Sequence, residues 1–290
     1  MKSYFNIGND LNNNVAVGGD KLAYILGPCA IESRDHTLHM ADKIQNICKK
    51  LDINFVFKAC FDKDCRSSSE SFHGVGIDEG LEILNEVKRT FGIPVVSDFS
   101  APDWASQCSE VLDLIQVPAY LCRQTTILKA AAETGLPVHL KKGQFMSPYN
   151  MSNSLGKLEK WGCSEVILTD RGTFMGYGGL VNDFTSLPIM SKNKCPVGFD
   201  ASHSIQMPTS LGSVSGGQRE FIPHLTRAAV AVGAQVIFIE THDQPEKALS
   251  DPNTVLDLKY LEYVLTQAEE MHKAKKEMFK KIGGEYEIHQ

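Results

Sequence analysis

Eight short apolar runs rich in β-branched residues alternate with helical periodicity between Leu22 and about Lys281, and no other feature constrains the fold as strongly. The strand-type runs are Ala23–Leu26, Asn54–Ala59, Pro94–Asp98, Leu114–Val117, Pro137–Lys141, Glu165–Thr169, Pro196–Asp200 and Val236–Glu240. The clearest helical stripes run over Thr37–Lys50, Asp78–Thr90, Thr126–Glu133, Arg219–Val232 and Leu258–Lys280, while the third, fifth and sixth helices are weaker. Such alternation predicts parallel βαβ units. Eight of them in 290 residues predict an α/β fold of the closed (β/α)8 TIM-barrel type, because doubly wound sheets are usually smaller.

A content of 42% hydrophobic and 22% charged residues fits one large domain over 1–290. Residues 1–21, with a turn at Asn12–Asn14, are expected to form a short N-terminal hairpin extension at the barrel's bottom. Residues 282–290, beginning at the Gly283-Gly284 break, are expected to be a frayed tail. A formal charge of −6 and a pI near 5.9 exclude nucleic acid as the main partner, since a phosphate-backbone binder needs a basic surplus. No apolar run reaches membrane-spanning length and residues 1–20 lack a signal-peptide core, so a cytoplasmic protein with no membrane partner is expected. Eight scattered cysteines without a CxxC pair fit reduced thiols.

In a barrel the reactive groups sit at the C-terminal ends of the strands. Here the strand ends carry Gly27-Pro28-Cys29, Lys58, Asp98, Lys141-Lys142, Asp170-Arg171, Asp200 with His203, and Glu240. Lys58, Lys63, Arg66, Lys141 and Arg171 would converge on the barrel mouth of an acidic chain, a set suited to a doubly anionic ligand. Taken singly, each would more often be a surface ion pair. The Ser67–Ser69 hydroxyls beside Arg66 could hold a second phosphate, although a plain Ser-rich loop is an equal reading of that segment.

Cys29, His203, Glu240 and Asp251 would meet where the first, seventh and eighth strands adjoin, forming a mixed site for Zn²⁺, Fe²⁺ or Mn²⁺. Cys29 alone would more often pack as a small hydrophobe. His203 could serve as a general acid or base without metal. His139 could fill a core position, and His36, His39, His73, His224, His242, His272 and His289 show no comparable placement.

Six blocks in order, Gly27–Ser33, Phe57–Ala59, Pro118–Thr125, Lys141–Phe145, Thr169–Gly172 and Phe199–His203, followed by Ser215–Glu220, resemble the 3-deoxy-D-manno-octulosonate 8-phosphate synthases, also called 2-dehydro-3-deoxyphosphooctonate aldolases. The resemblance implies condensation of phosphoenolpyruvate with D-arabinose 5-phosphate, without a Schiff base, on the way to lipopolysaccharide or a pectic polysaccharide. It implies Lys58, Lys141 and Arg171 around phosphoenolpyruvate, with Lys63 and Gln144 lining the same pocket. Arg66 and Ser67 would hold the aldose phosphate, and Asp98 would lie near its hydroxyls. Lys58, Lys141, His203 and Asp251 are the expected catalytic set. Cysteine at position 29 resembles the metal-dependent branch, with His203, Glu240 and Asp251 as the other ligands, and the resemblance implies a homotetramer.

One departure stands out. The family's Lys-Ala-Asn-Arg-Ser run appears as Lys63-Asp64-Cys65-Arg66-Ser67, which replaces an amide by a weakly donating thiol. It keeps open a 3-deoxy-arabino-heptulosonate 7-phosphate synthase, or a paralogue using another aldose phosphate. A Schiff-base aldolase acting through Lys141 or Lys142 and a non-catalytic sugar-phosphate binder are further alternatives.

Overall fold

A computed structural model describes residues 1–63, 72–211 and 214–284. A short antiparallel pair, β1 (Phe5–Ile7) and β2 (Val15–Val17), precedes seven parallel strands: β3 (Ala23–Gly27), β4 (Phe55–Lys58), β5 (Val95–Asp98), β6 (Leu114–Val117), β7 (Val138–Lys141), β8 (Val166–Asp170) and β9 (Val197–Asp200). A second hairpin follows, of β10 (Gln206–Leu211) and β11 (Val214–Gly217). The eighth barrel strand, β12 (Val236–His242), pairs with both β9 and β3, so the sheet closes. A two-residue strand, β13 (Leu256–Asp257), pairs with the end of β12. The expected (β/α)8 barrel with its N-terminal hairpin is therefore the fold.

The eight helices among the described residues are α1 (Arg34–Lys50), α2 (Ile77–Phe91), α3 (Ala105–Val111), α4 (Thr125–Glu133), α5 (Met151–Lys160), α6 (Ser186–Ser191), α7 (Ile222–Val232) and α8 (Leu261–Ile282). Local chemistry sets their ends. Ser33 caps α1 by accepting from the His36 N–H at 3.2 Å, with Asp35 in the first turn and Lys49 and Lys50 in the last, as the helix dipole favours. Gly92 closes α2 at φ 62°, a left-handed conformation that glycine adopts cheaply.

Most bounds fall within a residue or two of expectation, and the differences have causes. Strands predicted to begin at Pro94, Pro137 and Pro196 begin one residue later, because proline has no N–H to give the ladder. The helices expected from Arg219 and Leu258 open as 3₁₀ turns and become α-helical only at Ile222 and Leu261. The weak third and sixth helices are short elements of 7 and 6 residues, about two turns each. Helix α8 runs to Ile282, and residues 285–290 of the expected tail lie outside the described residues.

Nearly every barrel strand is buried along its length, because helices cover the outside and side chains fill the inside. Phe5, Ile7, Val15 and Val17 of the first hairpin form one apolar cluster with Ala23, Leu114 and Val236 at the starts of barrel strands. The hairpin thus plugs the barrel's bottom and leaves the opposite end to polar groups.

Candidate active site

Strand register builds the site. Glu240 on β12 is opposite Gly27 on β3, and Leu26 is opposite Phe57 on β4, so Glu240, Gly27 and Lys58 form one row across three strands. Glycine is required in the middle, since a Cβ at position 27 would lie 1.9 Å from the Lys58 carbonyl oxygen. Over it, Lys58 Nζ donates to Glu240 Oε1 at 2.5 Å and to the Cys29 carbonyl at 2.8 Å. Both side chains are sealed from solvent. Burial works against both charges, but each outweighs it for the other: Lys58 is raised above its ordinary value and Glu240 is held well below the carboxylate range.

A second buried pair stands beside it. Lys141 Nζ donates to Asp200 Oδ2 at 2.6 Å and lies 3.5 Å from the centre of the Phe238 ring. Burial lowers the Lys141 ammonium. Asp200 resists burial through His203 and Lys141, and is held well below its ordinary value. His203 Nδ1 is 2.7 Å from Asp200 Oδ2 and its backbone N–H donates to Asp200 Oδ1 at 2.9 Å, which leaves Nε2 facing Glu240 Oε2 at 3.5 Å.

Cys29, Glu240 and Asp251 bring one donor atom each to within 4.8 Å of one another. The Cys29 thiol donates to Ser250 Oγ at 3.0 Å and approaches Asp251 Oδ2 at 3.3 Å. Burial, then Glu240 and Asp251, push this thiol well above its ordinary value. A divalent cation would reverse that by binding the thiolate. Glu240 Oε2 is buried without a hydrogen bond, an orphan acceptor that a cation would satisfy. Thiolate, two carboxylates and the adjacent imidazole fit a borderline divalent metal.

The expected anion-binding residues gather only in part within the described chain. Lys58, Lys63 and Lys141 all act electrostatically on Asp98; against the effect of burial they hold its carboxyl at about 2, with Gln116 donating to it. Arg171 is buried after β8 with one terminal nitrogen donating to Gln206 and the other, Nη1, without a partner. Gln144 is buried nearby in sequence to Lys141, its Oε1 also unpaired. Arg66, Ser67 and Cys65 lie outside the described residues. Lys142 is buried elsewhere, with Thr173 Oγ1 at 3.1 Å and the carbonyls of Gly143 and Met146 around its ammonium.

His139 is a core residue, as the sequence allowed. Its nitrogens meet Gln116 Oε1 at 2.8 Å and Thr169 Oγ1 at 2.7 Å. Sequence reasoning missed Ser250, Gln206 and Phe238. Phe238 had a signal, since it precedes Glu240 by two on one strand and so shares its face. Ser250 adjoins Asp251, but nothing in the spacing ties it to Cys29.

The model of the DAHP synthetase I family matches residues 6–277. A 2-dehydro-3-deoxyphosphooctonate aldolase of Desulfatibacillum aliphaticivorans is 47% identical over 274 residues, covering 94% of this chain and 99% of the relative. The Geobacter sulfurreducens protein of the same name is 50% identical over 244 residues, covering 83% and 90%. That of Rickettsia typhi is 43% identical over 266 residues, covering 91% and 97%.

Proposed function

The chain belongs to the DAHP synthetase I family, and from that membership we propose that it is a transferase condensing phosphoenolpyruvate with D-arabinose 5-phosphate and water. The products are 3-deoxy-D-manno-octulosonate 8-phosphate and inorganic phosphate, the former a precursor of lipopolysaccharide-type carbohydrate. The observation that carries this reading is the 47% identity to a 2-dehydro-3-deoxyphosphooctonate aldolase across 99% of that relative. The 7-phosphate synthase alternative and a non-catalytic binder have no comparable support.

In the reaction, phosphoenolpyruvate C3 forms a bond to the aldehyde carbon, a water oxygen adds at C2, and the C2–O bond breaks as phosphate departs with the electron pair. Lys58, Lys141 and Arg171 hold phosphoenolpyruvate, with Lys63 and Gln144 lining its pocket. Support comes from the burial of all three cations and from the unpaired Arg171 Nη1, a donor suited to phosphate or carboxylate. The same cations would stabilise charge on the departing phosphate. Asp98 faces the aldose hydroxyls, and Arg66 with Ser67 takes the aldose phosphate. A Schiff base at Lys142 is disfavoured by the carbonyls that surround its ammonium.

Cys29, His203, Glu240 and Asp251 would hold a divalent metal, Zn²⁺, Fe²⁺ or Mn²⁺, whose chemistry is Lewis acidity toward an aldehyde or a water. Asp200 keeps the proton on His203 Nδ1, so Nε2 presents its lone pair to the site. No helix among the described residues is long and apolar enough to cross a membrane, and a cytoplasmic location is part of the reading. A homotetramer completes the reading.

Phosphate release from phosphoenolpyruvate with arabinose 5-phosphate, compared with erythrose 4-phosphate, tests it. Preference for the five-carbon sugar is expected. Turnover with the four-carbon sugar alone would move the chain to the 7-phosphate synthases.

A further inference from the structure

Three side chains that the proposed reaction does not use gather beside the same barrel end. Glu32 lies between β3 and α1, His36 sits in the first turn of α1, and His242 ends β12. One ligand atom from each lies within 4.8 Å of the other two. The two imidazole rings have centroids 4.5 Å apart and planes 33° apart, and His242 Nε2 is 3.4 Å from Glu32 Oε1. The His242 side chain is only 5% exposed. Its Nε2, like His36 Nδ1, is buried without a hydrogen bond of good geometry. Sequence placement gave neither histidine a role, and the two meet across α1 and β12.

A buried ring nitrogen without a well-aligned partner is costly, and here His36 Nδ1 and the poorly aligned His242 Nε2 share one small space with the Glu32 carboxylate. Histidines that ligate a metal through one nitrogen commonly give the other to a carboxylate. Asp243 occupies that outer position, with Oδ1 at 3.2 Å from both His36 Nε2 and His242 Nδ1. It also lines an open groove beside Lys43 and Glu246. We propose that Glu32, His36 and His242 form a second divalent-cation site, distinct from the Cys29 cluster, selecting a transition metal such as Zn²⁺ or Co²⁺ by its two imidazoles and one carboxylate.

Binding at His242 Nε2 requires the ring proton on Nδ1. The Nδ1–H would then donate to Asp243 Oδ1, now 3.2 Å away, whereas Nδ1 at present accepts from the Gln244 N–H at 2.9 Å, so the turn after β12 adjusts as the cation enters. The site also touches the first one mechanically. Glu32 Oε1 accepts from the Leu249 N–H at 2.8 Å, two residues before Asp251. A cation on Glu32 would therefore hold the loop that carries Ser250 and Asp251.

The test is a Co²⁺ titration of the full metal-stripped chain, read by absorption spectrum and by bound metal per chain after dialysis. Two ions are expected, one with a sulfur-to-cobalt charge-transfer band and one without. Cys29→Ser should remove the first and leave the second, while His36→Gln, in the first turn of α1, should remove only the second. Glu32→Gln should reproduce the His36→Gln result in a differently perturbed protein. Binding of a single ion that carries the thiolate band, or an unchanged count in both His36→Gln and Glu32→Gln, overturns the proposal. Loss of the band-free ion in those variants with no thiolate band in the unaltered chain upholds it and refutes the Cys29 site instead.

Discussion

Lys58 Nζ and Glu240 Oε1 meet at 2.5 Å above Gly27, one strand away from each other on either side, in a setting with 1% and 0% exposure. A buried pair of this kind contributes little net stability against an apolar replacement, yet breaking it leaves one uncompensated charge. Lys58→Met should destabilise the chain by about 3–5 kcal/mol. Lys58→Met combined with Glu240→Leu should recover much of that loss while activity stays absent. Urea denaturation of the three proteins, with phosphate release alongside, checks both halves. Equal stability of the single and double variants would mean that the pair is not an energetic unit.

Ser250 accepts the Cys29 thiol hydrogen bond at 3.0 Å, and its neighbour Asp251 is a proposed ligand. When the thiolate binds metal, the Ser250 hydroxyl can turn and donate to sulfur. Ser250→Ala should weaken metal affinity by about 10–100-fold while leaving kcat at saturating metal close to that of the unaltered chain. Metal-dependent activity titrations from stripped protein distinguish this from a catalytic role, which would lower kcat at every metal concentration.

How much of this was legible depends on whether a property lies along the chain or across it. Strand runs such as Val236–Glu240 announce themselves by continuous burial, and Cys29, Lys58, Asp98 and Glu240 stand out as polar residues closing them. The meeting of Cys29 with Asp251 followed from barrel closure and needed no coordinates. Side-chain pairing did not follow. That Lys58 chooses Glu240 while Lys141 chooses Asp200 depends on register over Gly27 and on the Phe238 ring. The contact of His36 with His242 joins a helix turn to a strand end, which no spacing rule connects. The β10–β11 hairpin, whose Gln206 accepts from Arg171, lacks the continuous apolar run that marks the barrel strands.

The first hairpin makes a separate prediction, because its role is confined to the barrel's bottom. Ile7 is 1% exposed and packs among strand-start residues far along the barrel axis from Glu240. Ile7→Ala should cost about 2–5 kcal/mol of stability through lost transfer energy and a cavity. With no site residue displaced, KM and kcat at a temperature where the variant is folded should be unchanged. A large fall in kcat with intact stability would show that the plug communicates with the mouth.

The last prediction concerns pH and rests on His139, which is fully buried and held neutral down to about 3 against an ordinary 6.5. Burial is the main cause, and the Lys141 charge adds to it. Because the folded value is depressed, the unfolded chain binds this proton first as pH falls. Above 6.5 the two states are alike and the group contributes no slope. Between 6.5 and 3 stability must fall as pH falls, by about 1.4 kcal/mol per pH unit from this residue. Asp98 adds its own loss only lower, between its ordinary 3.8 and about 2, where protonation removes its attraction to Lys58. The window from pH 6 to pH 5 lies above the Asp98 range and within that of His139. Urea midpoints of metal-free protein should fall across that window, and His139→Gln, which retains an amide near Gln116 and Thr169, should be less stable at pH 7 but flatter with pH. An equal slope in both proteins would mean that another group carries the proton.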